Sequence, residues 1–596
     1  MLQKNEPYWY RGKFGNSMDD EQLLSQYDYI IKFTYLCISV GAGSAGSAVA
    51  ARLSENKETK VLLLEAGKED NFLTEYPLFI DILQSNETSW QYQTVPQKQA
   101  CLGLKNKKSL WPRGKVIGGS SSINYMLYVR GNRHDYDSWA ENGATGWSYQ
   151  EVLPYFIKSE ANTSPLLQNN KLHGYHGPLT IEDCSHISPI TTAYLEAAKE
   201  MGYEIKDFND GYQNGFRISQ FNTRRGTRVS SFRAYVRPSR HRKNLHVLTE
   251  AFVHKIQINW MKRAEGVIFS HKSKTRFIKA SKELILSAGA IGSPQILMLS
   301  GVGPAHHLKK LDIKVVQDLP GVGQNLQDHI MAPINIPLKP NAGLVPKRAL
   351  SFQSIYDFFK NGKGPFTTSA VEAMGFVRSN QVSKDHLGSD LQFHLLTVGI
   401  SGNSNVLKEN IGMNDEIYDK IYKNYESEDQ VAILPSLLNP KSTGRLQLRS
   451  KNPEDHPLID PNYLSHPHDM KVLIEGIKIA LNMSNSVAFK EYRKEYEEPP
   501  IPGCQHLTFQ SDSYWECYIR HLTFTIYHPV GTCKMGAVHD PMAVVDPTLK
   551  VRGISRLRIV DASIMPSIPS GNTNAPSIMI GEKAADMIKH ELIINK

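Results

Sequence analysis

Short apolar runs, each ending at a glycine or an acidic residue, set the pattern of this chain. Val61-Leu62-Leu63-Leu64 stops at Glu65, Leu284-Ile285-Leu286 breaks toward Gly289, and Leu557-Arg558-Ile559-Val560 runs into Asp561 and Ala562. Runs of this length without alternation read as strands buried on both faces, as in a parallel sheet covered by helices. Ser47 to Leu53 and, near the C-terminus, Ile578 to Ile588 read as helices. A further helix is expected from Ser293 to Leu299, with Pro294 in its first turn, where a missing N–H costs nothing. From about residue 341 to 524 the pattern changes to mixed polar and aromatic segments, with strands such as Gly444 to Leu448. The expected fold is therefore α/β: a discontinuous Rossmann-like nucleotide-binding domain, closed by the end of the chain, with an α+β, mixed-sheet lobe between its parts.

The strongest chemical signal is the turn Val40-Gly41-Ala42-Gly43-Ser44-Ala45-Gly46. Gly41 permits the tight turn, Gly43 lets the backbone approach a pyrophosphate, and Gly46 lets the helix lie close on the strand. Ser44 and Ala45 stand at the helix N-terminus, whose free N–H groups attract negative charge. Glu65 follows about 20 residues on, where an acidic side chain accepts hydrogen bonds from an adenosine ribose. A bare GxGxxG is often a turn with no ligand; the strand, helix, second strand and terminal Glu make this one a dinucleotide site. In Trp111 to Asn124, the pair Gly118-Gly119 precedes Ser120-Ser121-Ser122. Such backbone donors and hydroxyls suit a phosphate or the polar edge of a flavin, although a Gly/Ser turn read alone is equally an ordinary loop.

With 596 residues the chain exceeds what one core usually supports, so two joined domains or one large two-lobed enzyme are expected. The net charge of +9 is spread over 68 basic and 59 acidic residues with no dense Lys/Arg block, which argues against nucleic-acid binding. No apolar run reaches the roughly 20 residues of a membrane span. Residues 1 to 28 are polar and aromatic and lack the apolar core of a secretory signal. Six cysteines without a CxxC pair argue against zinc and against a dense disulfide framework, and no metal is expected. The sequons at Asn86, Asn162 and Asn482 matter only in the secretory pathway.

Longer stretches resemble the glucose–methanol–choline (GMC) oxidoreductase family. Gly114 to Asp137 resembles its first signature, and Gly289 to Pro294 through Ser300-Gly301-Val302-Gly303 its second. Leu319 to His329, Tyr527 to Gly536 and Ser570 to Pro576 are also similar, so that the likeness runs from about Gln26 to the C-terminus. It is nearest to the insect glucose-dehydrogenase-like branch. The resemblance implies an FAD-dependent enzyme that oxidises the CH–OH group of a small alcohol or sugar by hydride transfer to flavin N5. A quinone-like acceptor, or oxygen in the oxidase variant, would take the electrons. The resemblance makes His528 the general base, a role that suits imidazole because its unperturbed pKa lies near neutrality. The partner position, His or Asn in the family, falls on Asn574, with Asn572 as competitor; an amide orients a substrate oxygen but takes no proton. Gly118, Ser120 and Asn124 fall on the flavin side, Val253 makes a backbone contact on the adenine side, and Asp561 and Ala562 also belong to the cofactor. Some relatives carry a flavin-linked His where this chain has Asn124, which implies FAD held without a covalent bond.

The implied organisation is an N-terminal extension (1–25), a mainly FAD-binding part (26–335), a mainly substrate-binding part (336–530) and a return to the FAD-binding domain (531–596). Family members run from a segment like Tyr27 to Ile31 directly into one like Val40 to Gly43, whereas here Lys32 to Ser39 intervenes. Two readings stay open. Either Tyr35 to Val40 is itself the first strand, or the extra residues come from a faulty gene model and the chain is a GMC-fold protein that binds FAD poorly and is inactive. Insect relatives are usually secreted, yet no signal peptide is visible. Relatives often have a second Cys shortly before the Trp-Pro-Arg-Gly motif, and this chain has Ser109-Leu110 there, which leaves Cys101 without that partner.

Overall fold

The computed structural model describes residues 35–382, 388–401, 405–496 and 499–594. The N-terminal extension and Tyr27 to Ile31 lie outside the described residues. The first of two large sheets has seven strands: β1 (Tyr35–Val40), β2 (Val61–Leu64), β3 (Leu245–Leu248), β4 (Phe252–Ile258), β5 (Ala264–His271), β6 (Lys274–Leu286) and β7 (Leu557–Ile559). They lie in the order β3-β2-β1-β6-β5-β4, with β7 on the other edge of β6. The pairings of β1 with β2 and β6, of β3 with β2 and of β7 with β6 are parallel, while β4, β5 and the first half of β6 form an antiparallel meander.

The first-strand alternative is resolved in favour of Tyr35–Val40. Cys37 to Val40 pair with Val61 to Leu64 on one side, and Ile38 to Val40 with Leu284 to Leu286 on the other. Cys37, Ile38 and Val40 are buried, as a central strand requires. Helix α1 (Ser44–Leu53) follows at once, α2 (Gly289–Leu299) follows β6, and α3 (Asn574–Ile594) packs on α1 from the far end of the chain. Arg52 of α1 grips Glu582 of α3 through Nε and Nη2 at 2.8 and 2.9 Å, and the Tyr235 hydroxyl donates to the same carboxylate. The nucleotide-binding unit is thus discontinuous and Rossmann-like, as expected from the apolar runs.

In the second sheet the neighbours are, in order, Phe524–Thr525, Ile330–Met331, Gln430–Leu437, Leu391–Leu396, Val371–Val377 and Gly215–Ile218; Ile334–Pro337 also pairs with Gln430–Leu437. Every one of these pairings is antiparallel. Side chains alternate across it: Leu391 and Pro435 pack on Gly476 of helix Pro467–Ser484, while His394, Leu396 and Leu434 face an internal cavity. Elsewhere, Cys504 and Cys517 form a disulfide, and Cys101 is a buried free thiol. Among the described residues no helix is long and apolar enough to cross a membrane.

Candidate active site

One cavity of about 650 Å³ runs from the β1–α1 turn to His528. At the turn end its wall is largely backbone. Gly41 sits at φ +100°, and a Cβ there would stand 2.4 Å from the Ser287 carbonyl oxygen, so only glycine fits. Gly46 lies behind the wall: a Cβ would come within 2.0 Å of the Gly41 carbonyl oxygen, which is why α1 can rest directly on the turn. Gly43, Ser44 and Ala45 face the cavity. Glu65 lines it too, its two oxygens accepting the N–H groups of Ala42 (2.9 Å) and Gly67 (2.8 Å), and burial pushes its carboxyl up to about 7.

Gly118 shapes this end from outside, at φ +89° with its N–H donating to the Ala42 carbonyl at 2.9 Å, while Gly119 and Ser120 form the wall. Asn124, Val253, Asp561 and Ala562 all line the cavity. The Asn124 Oδ1 accepts from Arg228 Nη1 at 2.8 Å. Asp561 Oδ2 accepts from the Gly289 N–H at 3.0 Å and from Ser293 Oγ at 2.5 Å, which ties β7 to the start of α2. A dinucleotide fits these residues. The α1 N-terminus has no side-chain cap, and a Cβ on Gly43 would meet nothing nearer than Gly119 Cα at 4.0 Å. Ser287 Oγ, on the wall, is buried without a hydrogen-bond partner among the described residues. Free helix donors, open space and an orphaned hydroxyl together are what a diphosphate satisfies.

At the other end His528 is fixed from three sides. Its N–H donates to Asp328 Oδ1 at 2.8 Å, and the other oxygen of that buried carboxyl accepts from Thr525 Oγ1 and the Tyr463 hydroxyl. Tyr527, next to it, sits in the left-handed region at φ +67°, its carbonyl held by Arg113 Nη1 at 2.6 Å. His329 sets the ring. His329 Nε2 lies 3.0 Å from the Leu438 carbonyl oxygen, which can only accept, so that nitrogen carries hydrogen. Burial pushes His329 down to about 3, leaving it neutral with a lone pair on Nδ1. His528 Nδ1, 2.9 Å away, must therefore be the donor, and His528 Nε2 carries the lone pair. Asn572 gives the same answer from the opposite side: its Oδ1 takes a hydrogen from Gln392 Nε2 at 3.1 Å, leaving Nδ2 to donate to His528 Nε2 at 3.3 Å. Burial, with His329, His394 and Arg113 nearby, holds His528 well below the usual imidazole range, so the ring is a neutral acceptor facing the cavity.

The two asparagines end up in different places. Asn572 is beside His528, whereas Asn574 opens α3 and its Oδ1 accepts from Ser44 Oγ at 2.7 Å, at the turn end. The family likeness, counted back from Glu582-Lys583, placed the partner on Asn574 with Asn572 as competitor, and nothing in the local pattern separates two amides two residues apart. Sequence reasoning missed the roles of Asp328 and His329, although both stand in a stretch recognised as family-like, and it missed His394, which has no local signal.

An open α/β sheet with a glycine-rich turn at the carboxyl edge of β1, sharing one cavity with a neutral imidazole just beyond the edge strand of a second sheet, fits an enzyme that binds a dinucleotide. Residues 35–331 and 440–581 match the N- and C-terminal family models of GMC oxidoreductases, and the chain belongs to that family. It is 39% identical over 573 residues to the "Glucose dehydrogenase [FAD, quinone]" of Drosophila melanogaster, covering 95% of this chain and 87% of that one. It is likewise 39% identical over 569 residues to the mitochondrial choline dehydrogenase of Homo sapiens, covering 93% and 90%. Among solved structures, pyridoxine 4-oxidase from Mesorbium loti superposes with a TM-score of 0.78 at 28% identity, covering 93% of this chain and 99% of that one. Formate oxidase superposes with a TM-score of 0.81 at 27% identity, covering 94% and 98%.

Proposed function

We propose that this oxidoreductase uses FAD to oxidise the CH–OH group of a small organic alcohol, with His528 as the base and a quinone-like compound as the final electron acceptor. The observation that carries the reading is the hydrogen-bond chain from Leu438 through His329 to His528, which puts the lone pair of a neutral imidazole on Nε2, where Asn572 Nδ2 donates to it until a substrate hydroxyl takes that place. When bound, FAD supplies the hydride acceptor. His528 Nε2 takes the hydroxyl proton as the carbon loses its hydride, and Asn572 Nδ2 donates to the substrate oxygen and orients it. Burial above all, with His329, His394 and Arg113 nearby, disfavours a charged His528, so the proton it takes is readily passed on. The turn residues, Glu65, Val253, Ser120, Asp561 and Ala562 hold the cofactor. Asn124 stands at its flavin side and offers no nucleophile for a covalent link. The intact pairing of β1 on both edges supports an active enzyme rather than a GMC-fold relic. Quinone is favoured as acceptor by the likeness to the glucose dehydrogenases.

The test is the visible spectrum of the purified protein. A flavin spectrum that bleaches anaerobically on adding an alcohol and recovers faster with a quinone than with air is expected, as is release of the flavin on acid precipitation. A colourless protein, or a flavin that no CH–OH compound bleaches, would sink the reading.

A further inference from the structure

The wall facing His528 has little to offer a polar substrate. Met331, Val371, Leu396, Leu434 and Phe524 come to it from five different strands of the second sheet, and Leu407 comes from the helix Asn405–Ile411. Neither that sheet nor that helix contributes a carboxylate to the lining. Several polar side chains at this end are already bound to one another, Asn572 to His528, Gln392 and His394, and His528 to His329, while Tyr527 with its hydroxyl also lines the cavity. His394, pushed down to about 4 by burial, adds no charge.

We infer that the substrate is an alcohol with a hydrocarbon body, aliphatic or aryl, rather than a sugar or an alcohol with a cationic head; this rests on the reading of His528 as the base. Each hydroxyl of a sugar beyond the reacting one would leave water for a largely apolar wall, which disfavours it. A quaternary ammonium group would enter against an apolar wall whose sheet and helix offer it no carboxylate. A hydrocarbon body, in contrast, gains about fourfold in affinity for each methylene that the wall takes out of water. Specificity then follows from apolar area on the second sheet, while the reacting hydroxyl is placed by His528 and Asn572.

The experiment uses the full-length FAD-loaded protein with straight-chain primary alcohols from ethanol to decan-1-ol, benzyl alcohol, D-glucose and choline. Two quantities are read: kcat/KM with an artificial quinone, and Kd on His528→Ala holoenzyme from perturbation of the flavin absorbance. Both should improve by about fourfold per methylene until the wall is filled. Glucose and choline should lie on the order of 10²-fold below the best alcohol. A response flat in chain length, or glucose or choline as the best substrate, overturns the inference. Glucose or choline as the best substrate, with that bleaching lost in His528→Ala, leaves the base assignment standing and removes only the substrate class. Rising affinity along the alcohol series with no bleaching does the reverse. No binding and no bleaching removes both.

Discussion

At the β1–α1 end the cavity is walled largely by backbone and glycine from a few short stretches, whereas at the His528 end it is walled by side chains gathered from strands that run from Met331 to Phe524, about a third of the chain. The first end offers a ligand N–H groups and the space that absent Cβ atoms leave, with Glu65, Ser120 and Asp561 among the side chains on its wall. The second end presents His528, His394, Asn572 and an apolar surface, all of them side chains. Cofactor and substrate requirements are thus separable, one written largely in backbone conformation and the other in side chains.

Three perturbations would break or sharpen that separation. His528→Ala should slow anaerobic flavin reduction by roughly 10² to 10⁴-fold, the range for loss of a general base, while FAD content stays at the wild-type level. Stopped-flow bleaching at the wild-type rate would remove His528 from the chemistry, and loss of flavin would show that the two ends are not independent. Gly41→Ala is the converse. It forces a Cβ to 2.4 Å from the Ser287 carbonyl oxygen at φ +100°, and should weaken FAD binding on the order of 10- to 100-fold while the reduction rate per bound flavin holds. Equilibrium titration of the flavin-stripped protein measures it; unchanged affinity would mean that the turn yields. The smallest effect concerns pH. Because His528 is held below its ordinary value of 6.5, the base stays deprotonated as pH falls from about 8 to that value, and flavin reduction should change by less than about twofold. An unshifted imidazole would lose half its active fraction over the same range, and a stopped-flow profile with an apparent pKa near 6.5 would contradict the burial of the ring.

The same contrast explains how much was legible in the sequence. Gly41, Gly43, Gly46 and Glu65 could be assigned from spacing because a pyrophosphate turn constrains consecutive residues, and the glycine contacts follow that spacing position by position. The strand before the turn was harder. Tyr29 to Ile31 and Tyr35 to Val40 are both short apolar runs, and only the register of Cys37 against Val61 and of Ile38 against Leu284 distinguishes the second. At the His528 end the family likeness pointed to His528 but not to its surroundings. Asn572 and Asn574 differ by where α3 begins, a boundary that pattern alone places to within a few residues. His329, the residue that determines which nitrogen of His528 is free, is 199 positions away in the chain. No periodicity connects them; they meet because Ile330–Met331 and Phe524–Thr525 are neighbours in the second sheet.

The grip of α3 on α1 also has a consequence for how the protein is made. β1, α1 and β2 are among the first of these elements to be synthesised, yet the helix that covers α1 and the β7 strand that edges β6 are the last. At ordinary elongation rates the interval between them is on the order of a minute. Through that interval α1 lacks the helix that covers it and Arg52 lacks Glu582, so the nucleotide-binding unit is complete only once α3 has been made and has docked on α1.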